Sequence, residues 1–184
     1  EINSIIQTKD KSIYMGGHDA FMDNINALYR FSENSTSLDT INLNINEKYN
    51  INSMASDSKG NIWISLKLYK SNKSYIYVYD GNNIKKKYNY INSELKANQV
   101  NSIYIDDEDT KWFATDDGLI SYKQEWKKYT TKNSNITSNK INCIVMDIQK
   151  NIWIGTDNGI SMLKKGNFTN FNTKNTNLLS NKIT

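Results

Sequence analysis

Residues 141–160 read INCIVMDIQKNIWIGTDNGI, and the pattern of this stretch returns along the whole chain. Each copy opens with an aliphatic residue followed by Asn, and an aromatic residue stands twelve positions after the opening residue. The copies open at Ile2, Ile51, Val100 and Ile141, and a fifth opening residue stands at Ile183. The openings are 41 to 49 residues apart. A repeat of this length is typical of stacked supersecondary units.

The composition narrows the class of protein. The chain has 184 residues, which is enough to bury a core, and it has no apolar run long enough to predict a membrane-spanning helix. It shows no secretory leader and begins with Glu1, so we expect a piece of a longer protein. The single Cys143 excludes an internal disulfide and a multi-thiolate zinc site, and it stands where other repeats have Ser.

The charge pattern argues against nucleic-acid binding. The net charge is +4, but acidic residues are distributed among the lysines, and the only tight basic run is Lys85–Lys87. A nucleic-acid interface would concentrate basic residues on one face, with stacking aromatics between them. We therefore interpret the run as a solvated outer strand, and we expect neither nucleic-acid binding nor membrane contact from this segment.

Each repeat predicts four short antiparallel strands. In the fourth repeat the predicted strands are 141–146, 152–155, 160–163 and 168–171, separated by turn-forming residues such as Asp, Asn and Gly. The third repeat predicts 100–105, 111–114, 119–122 and 126–129, and no repeat carries a convincing helix signal. Four-stranded units of this length indicate an all-β propeller segment of four blades. The predicted blades are 2–50, 51–99, 100–140 and 141–182, with a further repeat starting at 183–184.

The motif resembles a known family. Residues 141–160 and 51–64 together spell aliphatic-Asn-x-Ile, then Asp-x-x-Gly-Asn-Ile-Trp-Ile-Gly-Thr-x-x-Gly-Ile, which is similar to the two-component regulator propeller repeat. The third and fourth repeats depart from it, with Asp109 and Lys150 where Gly is expected, and the first repeat departs most. The resemblance implies a sensor ectodomain of a bacterial histidine kinase or hybrid two-component system, often one that recognises carbohydrate. The Asp-x-x-Gly-x-x-Trp element also resembles the Asp-box of sialidase propellers, which is a turn device.

A position that is repeated in every unit performs a repeated structural task. We therefore expect the aromatic residues Tyr14, Trp63, Trp112 and Trp153 to pack between neighbouring blades. We expect the asparagines Asn3, Asn52, Asn101 and Asn142 to bond backbone groups near the axis.

Residues that break the repeat are the better candidates for binding. The turn between the second and third strands is extended at 16–24 in the first repeat and at 66–73 in the second. Loops on a rigid scaffold carry specificity, although neutral loop drift is the plain alternative. The candidate ligand-binding residues are His18, Asp19, Phe21, Asp23, Lys67, Tyr69 and Lys70.

Signals for catalysis are weak. His18 beside Asp19 and Asp23 has the chemistry of a metal ligand or a base, but a lone exposed His is more often neither. The sequence shows no recognisable Ser-His-Asp catalytic triad. A glycosidase would need two carboxylates, and nothing singles out a pair among Asp19, Asp23, Glu94 and Asp116. We expect no catalytic residue, no metal and no cofactor.

The ends of the repeat array suggest an assembly. Four repeats end where a fifth begins, and no strand is set aside to close a ring. An open arc would expose apolar blade faces. We therefore expect part of a larger ring, or a homodimer whose two arcs close an eight-bladed ring.

The leading hypothesis is a non-enzymatic sensing propeller in the extracellular or periplasmic part of a membrane-anchored receptor. Its ligand would be a polar small molecule or an oligosaccharide. Two alternatives are a protein–protein interaction propeller, with contacts on its rim, and an Asp-box-type carbohydrate-active enzyme.

Overall fold

The computed structural model describes residues 1–18, 28–33, 35–70, 74–96 and 99–184, and every regular element in these ranges is a β-strand. The strands are β1 (Ile2–Gln7), β2 (Ile13–Gly17), β3 (Leu28–Phe31), β4 (Asp39–Ile41), β5 (Tyr49–Ser56), β6 (Ile62–Leu68), β7 (Ser74–Tyr79), β8 (Ile84–Tyr88), β9 (Val100–Ile105), β10 (Lys111–Thr115), β11 (Gly118–Tyr122), β12 (Trp126–Tyr129), β13 (Ile141–Met146), β14 (Ile152–Thr156), β15 (Gly159–Lys164) and β16 (Asn167–Phe171).

Each repeat forms one sheet of four consecutive antiparallel strands. The prediction of an all-β chain with four four-stranded blades is therefore confirmed. Strands of the third and fourth repeats begin and end within a residue or two of the predicted bounds, because turn residues punctuate them clearly. Closure of a larger ring, by this chain or by a second copy, stays a prediction.

The chain divides into two compact units, Glu1–Leu95 and Lys96–Thr184, and each unit contains two sheets. In the first unit β5 packs against β1 and β2, and in the second β13 packs against β9 and β10. The opening residue of the later sheet, Ile51 or Ile141, is fully buried in each case. Gly16 allows this approach, since a Cβ there would lie 2.6 Å from the Cγ2 atom of Ile51.

The repeated asparagine occupies a β-bulge in every sheet. Pairing with the second strand skips Asn3, Asn52, Asn101 and Asn142, each of which follows an opening residue. A bulge re-aims a side chain that regular pairing would hold in the pleat. The bulge thus frees the Asn amide for bonds outside its own ladder.

In three repeats the re-aimed amide donates to the carbonyl of the opening residue of the next repeat. The Nδ2 atom of Asn3 donates to the carbonyl of Ile51 at 3.0 Å. The Nδ2 atom of Asn142 donates to the carbonyl of Ile183 at 2.6 Å, and Asn101 donates to Ile141 at 2.7 Å. For Asn52, the described bond is from the Nδ2 atom of Asn50 to the Oδ1 atom of Asn52, at 3.1 Å.

A carboxylate in the first turn of three repeats binds the repeated tryptophan. We call this pair the Asp–Trp clamp: indole Nε1 donates to carboxylate Oδ2 in Asp57–Trp63 at 3.0 Å, Asp106–Trp112 at 2.9 Å and Asp147–Trp153 at 2.7 Å. The Oδ1 atom of the same carboxylate accepts the backbone N–H groups two and four residues later. One side chain therefore fixes both the turn and the indole.

Each clamped indole also stacks on the aromatic residue that ends the fourth strand of its sheet. Ring centroids are 5.7 Å apart for Trp63 and Tyr88, 6.2 Å for Trp112 and Tyr129, and 5.5 Å for Trp153 and Phe171. Trp112 also belongs to the apolar cluster that contains Ile144, Ile152 and Leu163 of the following sheet. The clamp thereby connects the first turn, the outer strand and, for Trp112, the neighbouring sheet.

The fourth residue of the turn is left-handed whatever its identity. The φ angle is 64° at Lys11, 82° at Gly60, 65° at Asp109 and 64° at Lys150. The departures from Gly at Asp109 and Lys150 thus leave the turn conformation unchanged, and the backbone bonds of the turn enforce it.

This conformation predicts opposite effects for two substitutions. At a positive φ angle, a residue with a Cβ destabilises the folded state by about 1–2 kcal/mol. Glycine avoids this strain, but its more flexible unfolded chain lowers the free energy of unfolding by about 0.4–1 kcal/mol. Lys150→Gly should raise the free energy of unfolding by up to about 1 kcal/mol, and Gly60→Ala should lower it by about 1 kcal/mol. Urea denaturation measures both. A lower free energy of unfolding in Lys150→Gly would contradict the interpretation.

The clamp predicts a larger loss. Asp57 is 5% exposed, and its carboxylate accepts from the N–H groups of Lys59 and Asn61, from the Asn61 amide and from the Trp63 indole. Asp57→Ala should lower the free energy of unfolding of the first unit by about 3 kcal/mol, because it leaves buried donors unpaired. Glu33→Ala, which removes an exposed ion pair with Lys11, is the control and should change it by less than about 0.5 kcal/mol. If the two substitutions lowered the free energy of unfolding equally, the clamp would contribute no more than an exposed ion pair.

Candidate functional site

The first extended turn begins at His18, directly after β2. Two backbone bonds join His18 to Glu1: the His18 N–H donates to the carbonyl of Glu1 at 2.9 Å, and the Glu1 nitrogen donates to the carbonyl of His18 at 2.7 Å. Gly17 is required beside this contact, since a Cβ there would lie 2.8 Å from the Cα atom of Ile2 and would overlap the Glu1 carbonyl. The imidazole is thus carried on a fixed backbone.

The two extended turns meet through His18 and Tyr69. The Tyr69 hydroxyl lies 2.7 Å from Nδ1 and 3.3 Å from Nε2 of His18, and the ring centroids are 5.6 Å apart. The backbone N–H of Tyr69 donates to the carbonyl of Lys48 at 3.1 Å, and the residue is 53% exposed. The pair presents an aromatic face and a hydrogen-bonding edge to solvent, which is the chemistry that polar ligands with apolar faces require.

The second insertion is partly strand, which corrects the interpretation of 66–73 as a loop. Strand β6 continues to Leu68, and Lys67 lies within it, paired with Asn50 on one side and Ser74 on the other. The longer strand places Tyr69 and Lys70 at its end, and both are exposed. Ladder pairing with β5 and β7 extends the strand over residues whose extra length relative to the other repeats suggested a loop.

The other predicted ligand-binding residues, Asp19, Phe21 and Asp23, lie outside the described residues, and their role stays a prediction. Asp116, weighed above as a catalytic carboxylate, accepts from Asn101 at 3.0 Å, and Asp157 accepts from Asn142 at 2.8 Å. These bonds recur at equivalent positions, so both carboxylates belong to the scaffold. The hydrogen bond from the Asn142 amide is the main cause that lowers the pKa of Asp157, and the bond from Lys140 lowers it further.

A polar groove lies at the other end of the sheets in the first unit, among the turns that join first to second and third to fourth strands. Its volume is about 450 Å³, and the residues that define its character are Asp10, Tyr14, Arg30, Lys59, Asp80 and Asn82. Sequence reasoning missed this groove. The available signal was the divergence of the first repeat from the motif shared by the others.

The first repeat has a different set of contacts in place of the clamp. Thr8 replaces the turn Asp, and a carboxylate stands instead at Asp10, where it accepts from the Thr8 and Ser12 hydroxyls. The Thr8 bond is the main cause that lowers the pKa of Asp10. Burial raises the pKa of Tyr14, whose hydroxyl bonds to the Arg30 guanidinium. The guanidinium in turn donates to Asp39 at 3.0 Å.

The second unit has a hollow of about 260 Å³ at the equivalent place, between β9–β12 and β13–β16. Its lining combines the apolar and aromatic side chains Trp112, Tyr129, Met146, Ile152 and Leu163 with the charged residues Asp106, Asp107, Glu108, Lys150 and Lys165. The same architecture therefore forms a groove in each unit, and the two grooves differ in their lining.

Within the described part of the chain, no group of three or more His, Cys, Asp or Glu residues is placed to hold a metal ion. None of the described elements is a helix that could cross a membrane.

Comparison with known proteins agrees with this geometry. Residues 135–158 match the two-component regulator propeller family. The match covers the crossover into the fourth sheet, the bulged Asn142 and the Asp147–Trp153 clamp. The resemblance inferred from the repeat is thereby confirmed. No curated protein matches the sequence.

Solved structures share the propeller fold. The extracellular domain assigned to the hybrid two-component system BT3049 of B. thetaiotaomicron aligns over 97% of this chain with a TM-score of 0.75 and 23% identity. The corresponding domain of BT4673 aligns over 88% with a TM-score of 0.65 and 27% identity. PorZ, a surface component of the type-IX secretion system of Porphyromonas gingivalis, aligns over 89% with a TM-score of 0.67 and 16% identity. This chain spans 24%, 21% and 26% of those three chains.

Proposed function

We propose that this chain is a segment of a non-enzymatic sensing propeller, located in the extracellular or periplasmic part of a membrane-anchored two-component receptor. The supporting observation is the combination of the family match at residues 135–158 with alignment to ectodomains assigned to hybrid two-component systems. In such a receptor the propeller would bind a ligand and shift the balance between signalling states. The differential affinity for the two states sets the size of that shift.

We further propose that the recognition surface of the first unit is built on His18 and Tyr69, and that it takes an oligosaccharide. The exposed Tyr69 ring suits the apolar face of a sugar, and the imidazole edge suits its hydroxyls. Both residues are carried by ordered backbone, through the bonds to Glu1 and Lys48, so little conformational entropy is lost on binding.

A glycan array probed with the 184-residue chain tests this proposal. We expect binding to a restricted set of oligosaccharides, and Tyr69→Ala should weaken it at least ten-fold, because the stacking surface and the partner of His18 are both removed. Tyr90→Ala is the matched control, since it removes an exposed tyrosine of the same unit outside the turn and should leave binding unchanged.

The array separates the alternatives. Silence across the array would reject the carbohydrate ligand. Binding that persists in Tyr69→Ala would reject this recognition surface.

A further inference from the structure

The first sheet departs from the others at the residue paired with the repeated aromatic. Tyr14 on β2 is paired with Arg30 on β3. The corresponding pairs are Trp63–Val78, Trp112–Ser121 and Trp153–Met162. Among the four described sheets, only the first places a charged side chain at this position, and the same sheet has lost the turn Asp and the indole. All three changes lie at the same groove, and this indicates a binding site.

The cations of the groove have capacity left for a ligand. A guanidinium has five N–H donors, and Asp39 Oδ2 receives two of those of Arg30, from Nε at 3.3 Å and from Nη2 at 3.0 Å. The Tyr14 hydroxyl is the other partner that the described contacts give it. Lys59 is exposed at the groove edge. A carboxylate placed between Arg30 and Lys59 would gain charge-assisted hydrogen bonds.

The acids of the groove already have partners. Asp10 accepts from Thr8 and Ser12, and Asp80 accepts from backbone N–H groups and from Lys85 at 2.9 Å. Their charge is therefore partly compensated by the protein, and repulsion of an incoming anion is reduced. Their remaining lone pairs can accept from ligand hydroxyls, since an ionised carboxylate offers about four acceptor sites.

The size and lining of the groove define the ligand class. Its volume of about 450 Å³ lies within the range of small-molecule sites, which is about 300–1,000 Å³. Its lining of Asp10, Tyr14, Arg30, Lys59, Asp80 and Asn82 is polar.

We propose that the groove of the first unit binds a small sugar acid, with its carboxylate at Arg30 and Lys59 and its hydroxyls toward Asp10, Asp80 and Asn82. This site is separate from the His18–Tyr69 surface, because it lies at the turns joining β1 to β2, β5 to β6 and β7 to β8. In this proposal, the residues at which the first repeat diverges from the others form part of a binding site.

Titration of the 184-residue chain with D-galacturonate, followed by backbone amide NMR, tests the proposal. We expect saturable shifts at the Gly60 and Gly81 amides, which lie at the groove. D-galactose, the neutral counterpart without the carboxylate, should bind at least ten-fold more weakly. Shifts confined to other residues, or equal affinity for the two sugars, would overturn the proposal.

Charge-removing variants locate the carboxylate. Arg30→Gln should weaken galacturonate binding at least ten-fold, and Lys59→Gln should weaken it several-fold. Because Arg30 is bonded to Asp39 and Tyr14, the amide spectrum must first show that Arg30→Gln is folded, and the exposed Lys59→Gln keeps the test valid if it is not. Lys127→Gln removes one positive charge from an exposed lysine of the second unit and should have no effect. Equal loss in Lys127→Gln, or no loss in Lys59→Gln, would overturn the assignment.

Discussion

A buried indole N–H needs an acceptor, and this requirement organises the repeat. Leaving such a donor unpaired costs about 1–3 kcal/mol, which is a large share of the free energy of unfolding of a small domain. The turn carboxylate meets the requirement and at the same time satisfies two backbone N–H groups of a left-handed turn. The aromatic at the end of the fourth strand then packs on the same indole. Three residues, the carboxylate, the indole and this aromatic, thereby hold the first turn, the second strand and the outer strand together.

The bulged asparagine performs the complementary task at the opposite end of the strands. Regular pairing would leave its side chain in the pleat, and the bulge directs it to the opening carbonyl of the next sheet, as with Asn3 and Ile51. The clamp thus stabilises a sheet internally, and the bulge connects the first sheet to the second and the third sheet to the fourth. This division explains why both residue types recur with a fixed offset while the connecting turns vary in length.

Much of this architecture could be predicted from the sequence, because clamp and bulge are local and repeated. The sheets follow from the spacing of the opening residues, and even Asp109 and Lys150 hold the turn conformation. The extent of β6 could not be predicted, since pairing of Lys67 with Asn50 and Ser74 depends on neighbouring strands. The polar groove was missed because Tyr14 and Arg30 are sixteen residues apart in the chain and meet only through strand pairing. Divergence from the repeat carried the information, but its meaning required the fold.

The two candidate surfaces both lie where the repeat is interrupted. One lies at the lengthened turns, and the other lies where scaffold residues are replaced. Both surfaces therefore depend on the scaffold that the clamps stabilise. Hydrogen exchange of the indole N–H groups, followed by NMR, measures this directly. We predict that Trp63, Trp112 and Trp153 exchange at least about a hundred-fold more slowly than a free indole, because each N–H is bonded to a turn carboxylate. Exchange of all three at the free-indole rate would contradict the central role of the clamp.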